Sequence, residues 1–534
     1  MNVKLKNELL VKSMNVGWWV QRWSELHPNK NAIFYKEKQI NYFELQKKTN
    51  LTSYWLKSMG IKKGDRVAIM LNNCPEFVEL YLSCAKLGVI FVPINTRLRS
   101  GELKYLLENS SPKLLVFHNT FFKIISSPDL NHCWSQTLLS CVDGYSFPLE
   151  VLDYAPSKLA FTGEDPYFVE SSGPTRPEDP QVIMYTSGTT GKPKGAVLPY
   201  RKTFFNCLNT EIYFDLHFDD VMLIVLPLFH SGGLFMQASP TIYKGATMII
   251  HPHFDPSKVY QDIEQLKVTK FLGVPTVYRK LLKVNLEERK NISSLKVCSI
   301  GGEKTPHDLL IRCRESRFNT RQIMGQTETS SFLWASEGDS LRKPGTVGKP
   351  VFHAEVRIFD KEGRDAQPGE VGEIVVRGPI VMTNYWQDPV KTKEAIKNGW
   401  LHTGDLARMD DEGYFYPIDR LKDMYISGGE NVYTAEVEQV LREHPAIEDV
   451  AVVGISDDTW GETGLAFIIP KSGAELSAEA IFSFCEGKLA HFKLPKKINF
   501  CQDFPRTSLG KVQKSKLIRS LEKRMNSTTN PKIQ

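Results

Sequence analysis

The sequence predicts an α/β fold. A large N-terminal domain, residues 1–420, combines parallel-sheet subdomains with a β-rich subdomain, and a small α+β domain follows over 421–534. Three observations lead there. The chain has 534 residues, too many for one core at roughly 100–200 residues per domain. Short apolar runs alternate with helical patterns over 60–120 and again over 221–300, the mark of parallel strands joined by crossover helices. After residue 345 the texture changes to short strands between Asp/Gly turns, and after Asp423 to a compact tail.

In chain order, residues 9–23 carry Trp18, Trp19 and Trp23 at the spacing of an amphipathic helix. The body of the protein is its expected partner, with a membrane surface as the alternative. Residues 66–71, 89–93 and 114–117 read as buried strands, and 75–87 and 100–108 as the helices between them. Residues 121–180 show little periodicity and include Ser-Ser-Pro and Arg-Pro-Glu-Asp-Pro, so a loop-rich connection is expected there. Strand patterns return at 221–226, 246–250, 270–273 and 295–300, with helices over 256–266 and 276–284. Residues 356–359, 373–377 and 414–417 read as antiparallel strands. In the tail, 435–443 and 478–489 read as helices, and 450–454 and 466–470 as strands.

Apolar residues make up 41% and charged residues 24%, a globular balance. No apolar run approaches the roughly 20 residues of a membrane-spanning helix. The net charge of +6 is too small and too spread to indicate a nucleic-acid partner. Basic residues do crowd the end, with 11 Lys/Arg between residues 488 and 524 against Asp503 and Glu522. That stretch is either a solvated face or a surface that meets polyphosphate. Nine scattered cysteines form no Cys-x-x-Cys pair, which excludes zinc ribbons and suits a reducing, cytoplasmic location. The lysines at the N-terminus precede no apolar core and are not read as a secretory signal.

The stretch with most chemistry follows the apolar run 182–184. It contains Thr186, Ser187, Gly188, Thr189, Thr190, Gly191, Lys194 and Gly195. Glycines let consecutive backbone N–H groups approach an anion, hydroxyls add donors, and Lys194 adds charge. The spacing does not fit GxxxxGK[ST], so this is a phosphate loop of another kind.

The loop resembles that of the adenylate-forming superfamily, which includes acyl-CoA synthetases and the adenylation domains of peptide synthetases. Further segments match in the same order: Leu226-Pro-Leu-Phe-His-Ser-Gly-Gly, Gly273-Val-Pro-Thr, Gly325-Gln-Thr-Glu, Trp400-Leu-His-Thr-Gly-Asp-Leu, Asp419-Arg-Leu-Lys-Asp, Ser427-Gly-Gly-Glu-Asn and Pro505-Arg-Thr-Ser-Leu-Gly-Lys. The resemblance spans residues 15–520.

It implies ATP, Mg²⁺ and coenzyme A as ligands. Glu328 and Thr186 would serve as metal ligands, and Ser187, Gly188, Thr189, Thr190, Gly191 and Lys194 would hold phosphate. Gly302, Glu303, Met324, Gly325, Gln326 and Thr327 would border the nucleotide, and Asp405 and Arg420 would hold the ribose. Lys511 is implied as the catalytic lysine on the α-phosphate, and His230 as a residue of the acyl pocket. Lys422 is implied as the hinge of a mobile C-terminal lid, with Gly428, Gly429 and Glu430 on its coenzyme A side. Three positions depart from the common pattern: Met324 replaces an aromatic residue, Tyr200 a histidine and Thr434 a proline.

The expected function is an ATP-dependent carboxylic acid:CoA ligase, a monomer or homodimer acting on small molecules. The segments implied for the acyl pocket, 229–239, 273–278, 301–305 and 329–334, are small and apolar. They are expected to offer no buried Lys or Arg for a second carboxylate, which favours fatty or aryl acids. The overall resemblance, to medium- and long-chain fatty-acid ligases, makes such a fatty acid the expected substrate, with an aryl acid as the alternative. Transfer to a carrier protein is a further alternative. Residues 345–378 leave no room for the insertion such enzymes carry.

Overall fold

The computed structural model describes residues 12–144, 151–156, 175–186, 193–285, 291–303, 305–421, 423–427, 430–457, 460–486, 488–489, 491–507 and 510–520. The chain forms two compact units. One comprises Met1–Val356 and Val376–Leu401, the other Arg357–Val375 and His402–Gln534.

The first unit contains two sheets built on parallel strands. In the eight-stranded sheet, Ile90–Pro93, Arg66–Met70, Leu114–Phe117, Leu138–Cys141 and Leu152–Asp153 are neighbours in that order and all parallel. The other flank of this sheet is antiparallel, with Pro180–Thr186 paired to Lys194–Pro199 and the latter to Asn384–Tyr385. The nine-stranded sheet has a parallel centre of Thr247–Ile250, Val221–Ile224, Lys270–Gly273, Val297–Gly301 and Thr320–Gln326. Here too the flank is antiparallel, where Ser330–Ala335 folds back on Thr320–Gln326.

Local chemistry explains the helices between the strands. Pro75 opens the helix Pro75–Leu87 and Gly88, in the left-handed region, closes it, as the N-terminal Pro and C-terminal Gly preference expects. All but Glu76 of this helix is buried. The N-terminal helix runs Val16–Leu26 and lays its aromatic face on the protein. Trp19 meets Tyr243 edge-on at 5.0 Å, and the Trp23 indole donates to the Tyr243 carbonyl.

Residues 121–180 hold more regular structure than their sequence implies. The strands Leu138–Cys141 and Leu152–Asp153 join the sheet there, after the short helix Phe122–Ile125 and a 3₁₀ stretch Pro128–Ser135. Strands of four and two residues are too short to show a period, and pairing with Leu114–Phe117 creates the first of them.

In the second unit, Phe415–Arg420 pairs antiparallel with the later part of Trp400–Met409. The Asp410 carboxylate accepts from the backbone of Glu412 and Tyr414, closing the turn between them. The tail is a sheet of Glu430–Val432, Tyr425–Ser427, Gly461–Pro470, Ile447–Asp457 and Lys497–Phe500. Its alternation is strict: Val450, Val452, Ala466 and Ile468 face one core, Ala451, Val453, Leu465 and Phe467 another. The first core is covered by the helices Thr434–Arg442 and Ala478–Cys485.

Beside the parallel core of the first unit, Lys270 and Asp220 form a fully buried ion pair, Nζ to Oδ2 3.4 Å. Asp220→Ala leaves that lysine charge buried without its counter-charge. The first unfolding transition is therefore expected to lose about 3–5 kcal/mol in chemical denaturation. A loss under about 1 kcal/mol would show that the lysine relies on the Phe214 and Asp215 carbonyls it also meets.

Candidate active site

The phosphate-type segment is the connection of an antiparallel hairpin. Thr186 is the register partner of Lys194, and the Thr186 hydroxyl lies 3.5 Å from the Lys194 carbonyl. Ser187, Gly188, Thr189, Thr190 and Gly191 lie outside the described residues. Tyr385 reaches this hairpin from the chain's later part, paired with Ala196. Its ring lies beneath the Lys194 ammonium, 5.0 Å from Nζ to the centroid. Its hydroxyl donates to Glu328 Oε1 at 2.8 Å. Burial and the Glu328 carboxylate both push the Tyr385 phenol well above its ordinary value, so it remains a donor. Thr186, Lys194, Tyr385 and Glu328 are thus linked by successive contacts.

Glu328 lies in the connection between Thr320–Gln326 and Ser330–Ala335, where the pairing register shifts between Met324 and Gly325. A Cβ at Gly325 would lie 2.1 Å from the Ser330 carbonyl oxygen, so only glycine lets the hairpin close this tightly. Ser330 itself adopts φ 60°. The Glu328 side chain is buried, and its carbonyl accepts from the Met382 amide at 2.7 Å. Among the described residues Oε1 accepts from Tyr385, and Oε2 is the carboxylate oxygen left for a hard cation. That fits Mg²⁺, which takes one or two protein oxygens and fills its other positions with phosphate and water. Met324, Gln326 and Thr327 are partly exposed beside it, and Gly325 is exposed. Gly302, at φ +85°, turns the chain at the end of Val297–Gly301, and Glu303 after it is half-buried.

His230 precedes the short turn Ser231–Gly233, its ring 4.6 Å from that of Phe229. Burial, reinforced by the Arg97 charge, lowers its pKa to about 4, so the imidazole is neutral near pH 7. The segments read as lacking a buried Lys or Arg do receive one from elsewhere. Lys202, on the helix Tyr200–Phe214, is fully buried and donates to Ser330 Oγ at 2.7 Å.

In the second unit, Asp405 and Arg420 are register partners on neighbouring strands, with Arg420 Nε 2.7 Å from Asp405 Oδ1. Asp419 next to them caps the helix Thr434–Arg442, accepting from the Thr434 hydroxyl at 2.8 Å and the Ala435 amide at 2.9 Å. A proline at position 434 would have no hydroxyl for this bond, which gives the departure a local reason. Lys511 is exposed, its amide on the Thr507 hydroxyl at 3.1 Å. Glu430 opens the strand Glu430–Val432. Lys422, Gly428 and Gly429 lie outside the described residues.

No sequence motif points to Tyr385 or Lys202. Each acts through a contact far along the chain: 57 positions for Tyr385 to Glu328 and 128 for Lys202 to Ser330.

Residues 20–386 match the AMP-binding enzyme family and residues 436–511 the AMP-binding enzyme C-terminal domain. The chain belongs to the AMP-binding enzyme family. Within it, whole-length similarity to CoA ligases makes this protein an acid–thiol ligase. It is 35% identical over 510 residues to a feruloyl-CoA synthase of an Amycolatopsis species, covering 95% of this chain and 99% of the relative. It is 36% identical over 509 residues to an indoleacetate–CoA ligase of Aromatoleum aromaticum, covering 94% and 97%. Among solved structures it resembles the o-succinylbenzoate coenzyme A synthetase of Bacillus subtilis in complex with ATP and a magnesium ion. There the TM-score is 0.83 at 32% identity, covering 94% of this chain and 99% of that one.

Two outcomes follow from the geometry. Tyr385→Phe removes a hydrogen bond to a buried carboxylate, worth about 1.5–3 kcal/mol. Pyrophosphate release at limiting Mg²⁺ should then fall roughly 10- to 100-fold, and an unchanged rate would show that Glu328 needs no support. His230 titrates lower folded than its ordinary 6.5. Its contribution to stability is therefore present above pH 6.5 and lost as pH falls towards about 4. His230→Gln should flatten that part of the acid limb in pH-dependent melting; a limb of unchanged slope would contradict the shift.

Proposed function

We propose that this enzyme activates an aromatic carboxylic acid with Mg·ATP as an acyl-adenylate and then passes the acyl group to coenzyme A. The observation that carries the adenylation chemistry is the buried Glu328 carboxylate, held by Tyr385 beside the hairpin of Thr186 and Lys194. The preference for an aromatic acid is supported by the relatives, whose names specify feruloyl, indoleacetate and succinylbenzoate substrates. A fatty acid, the sequence expectation, finds no counterpart among them.

In the first half-reaction a carboxylate oxygen attacks the α-phosphorus of ATP, and the bond to pyrophosphate breaks. The carboxylate is already ionised, so positioning and charge neutralisation carry the catalysis. We assign phosphate binding to Ser187, Gly188, Thr189, Thr190, Gly191 and Lys194, and the nucleotide edge to Gly302, Glu303, Met324, Gly325, Gln326 and Thr327. The Met324 thioether suits an aromatic base face. Asp405 accepts from the ribose hydroxyls, with Arg420 orienting it through the ion pair. Glu328 and Thr186 hold Mg²⁺, which screens the phosphate charge when bound. The neutral His230 borders the acid without adding charge to its pocket. Lys511 stabilises the charge that develops on the α-phosphate.

In the second half-reaction the coenzyme A thiolate attacks the acyl carbonyl and the bond to AMP breaks. We assign residues 1–420 to adenylation and 421–534 to a mobile lid hinged at Lys422. In its second position the lid would bring Gly428, Gly429 and Glu430 towards the pantetheine arm. None of the nine cysteines is in a disulfide, which supports a reducing, cytoplasmic location.

Two experiments test this. Pyrophosphate release with coenzyme A should be at least 10-fold more efficient, in kcat/KM, for aryl-propenoic and arylacetic acids than for C6–C18 fatty acids. The reverse order would restore the fatty-acid reading. Lys511→Ala should abolish acyl-AMP formation while synthetic acyl-AMP still reacts with coenzyme A; undiminished adenylation would remove Lys511 from the mechanism.

A further inference from the structure

Three lysines are buried among the described residues: Lys86, Lys202 and Lys270. Burying an ammonium costs several kcal/mol unless its donors are matched. Two of the three have two or more hydrogen-bond partners. Lys86 donates to the side-chain oxygens of Gln46 at 2.9 Å and Asn50 at 2.7 Å. Lys270 has the Asp220 carboxylate and the Phe214 and Asp215 carbonyls.

Lys202 differs. Among the described residues its Nζ has one hydrogen-bond partner, the neutral hydroxyl of Ser330, and no carboxylate at ion-pair distance. An ammonium has three donors, so two are left over. A methionine would fill the same volume at no polar cost, so packing gives no reason for an amine here.

The surroundings indicate what the spare donors meet. Ser330 Oγ lies 3.4 Å from Ser231 Oγ, and the Phe235 ring sits 4.5 Å from Nζ. Ser231 and Phe235 belong to the segment 229–239, and Ser330 to 329–334, both assigned above to the acyl pocket. An amine and two hydroxyls from three parts of the chain therefore converge on an aromatic floor.

We infer that Lys202 is a specificity-determining residue that donates to a second oxygen on the acid substrate, a ring hydroxyl or carboxylate remote from the carboxylate being activated. This rests on the ligase reading above. Burial pushes the Lys202 amine down to about 7, opposed chiefly by the Glu328 charge. Near neutral pH both its protonated and neutral forms can donate to such an oxygen. A site built to hydrogen-bond a substrate group discriminates strongly against analogues lacking it, because its own buried donor is then left unpaired.

The test compares matched acids, cinnamic acid against its 4-hydroxy and 4-carboxy derivatives, by coenzyme A-dependent pyrophosphate release. The wild-type enzyme should favour at least one oxygenated acid by more than about 10-fold in kcat/KM, and Lys202→Met should reduce that ratio about 10- to 100-fold. Which derivative is favoured identifies the oxygen. If Lys202 merely balances Glu328, Lys202→Met lowers all three acids equally and leaves the ratio unmoved, which overturns the inference. A wild-type ratio near one also overturns it. Should Lys202→Met melt below the assay temperature, Lys202→Gln reads the same ratio. No release with any carboxylic acid would instead refute the ligase reading itself.

Discussion

A carboxylate buried beside the hairpin of Thr186 and Lys194 must be hydrogen-bonded, and the Tyr385 hydroxyl meets that demand for Glu328. The same ring lies under Lys194, so one side chain touches both a carboxylate and an ammonium. The contact also organises the fold around it. It requires Asn384–Tyr385 to join the sheet beside Lys194–Pro199, and it requires the Gly325 hairpin to close tightly enough to turn Glu328 inward. The parallel strands form the frame, while the antiparallel hairpins at their flanks carry these charged groups.

Much of that frame was legible. The helix Pro75–Leu87 and the strands Leu114–Phe117 and Lys270–Gly273 coincide with their sequence expectations, because each is a complete periodic segment bounded by Pro, Gly or a charged turn. The strands Leu138–Cys141 and Leu152–Asp153 were not legible, since they are defined by their neighbours rather than by any local pattern. The motifs led to Asp405 and Arg420, which pair with each other, and to Glu328 and Lys194, yet not to Tyr385, which touches both. Tyr385 and Lys202 are ordinary residues by type, and their contacts arise only when distant segments are brought together. The acyl-pocket segments did look apolar in sequence. A buried lysine from the helix Tyr200–Phe214 nevertheless donates to Ser330 within them.

The second unit follows the same logic with different groups. Asp405 and Arg420 neutralise each other across adjacent strands, so neither charge is isolated. Asp419 ties that hairpin to the helix Thr434–Arg442, and Lys514 donates to the Thr434 hydroxyl at 2.6 Å. The sheet below exposes two apolar faces and is covered on both. The ligase chemistry we assign asks for little proton transfer, and the groups present are suited to charge placement rather than to acid–base exchange.

The central claim is that the acid passes through a mixed anhydride with AMP. Turnover of an aryl acid labelled with ¹⁸O in its carboxylate, with mass spectrometry of the AMP, tests it most directly. The account predicts one ¹⁸O in each AMP formed, because the oxygen that attacks phosphorus stays there when the thiol takes the acyl group. AMP free of label, or label in pyrophosphate, would contradict it.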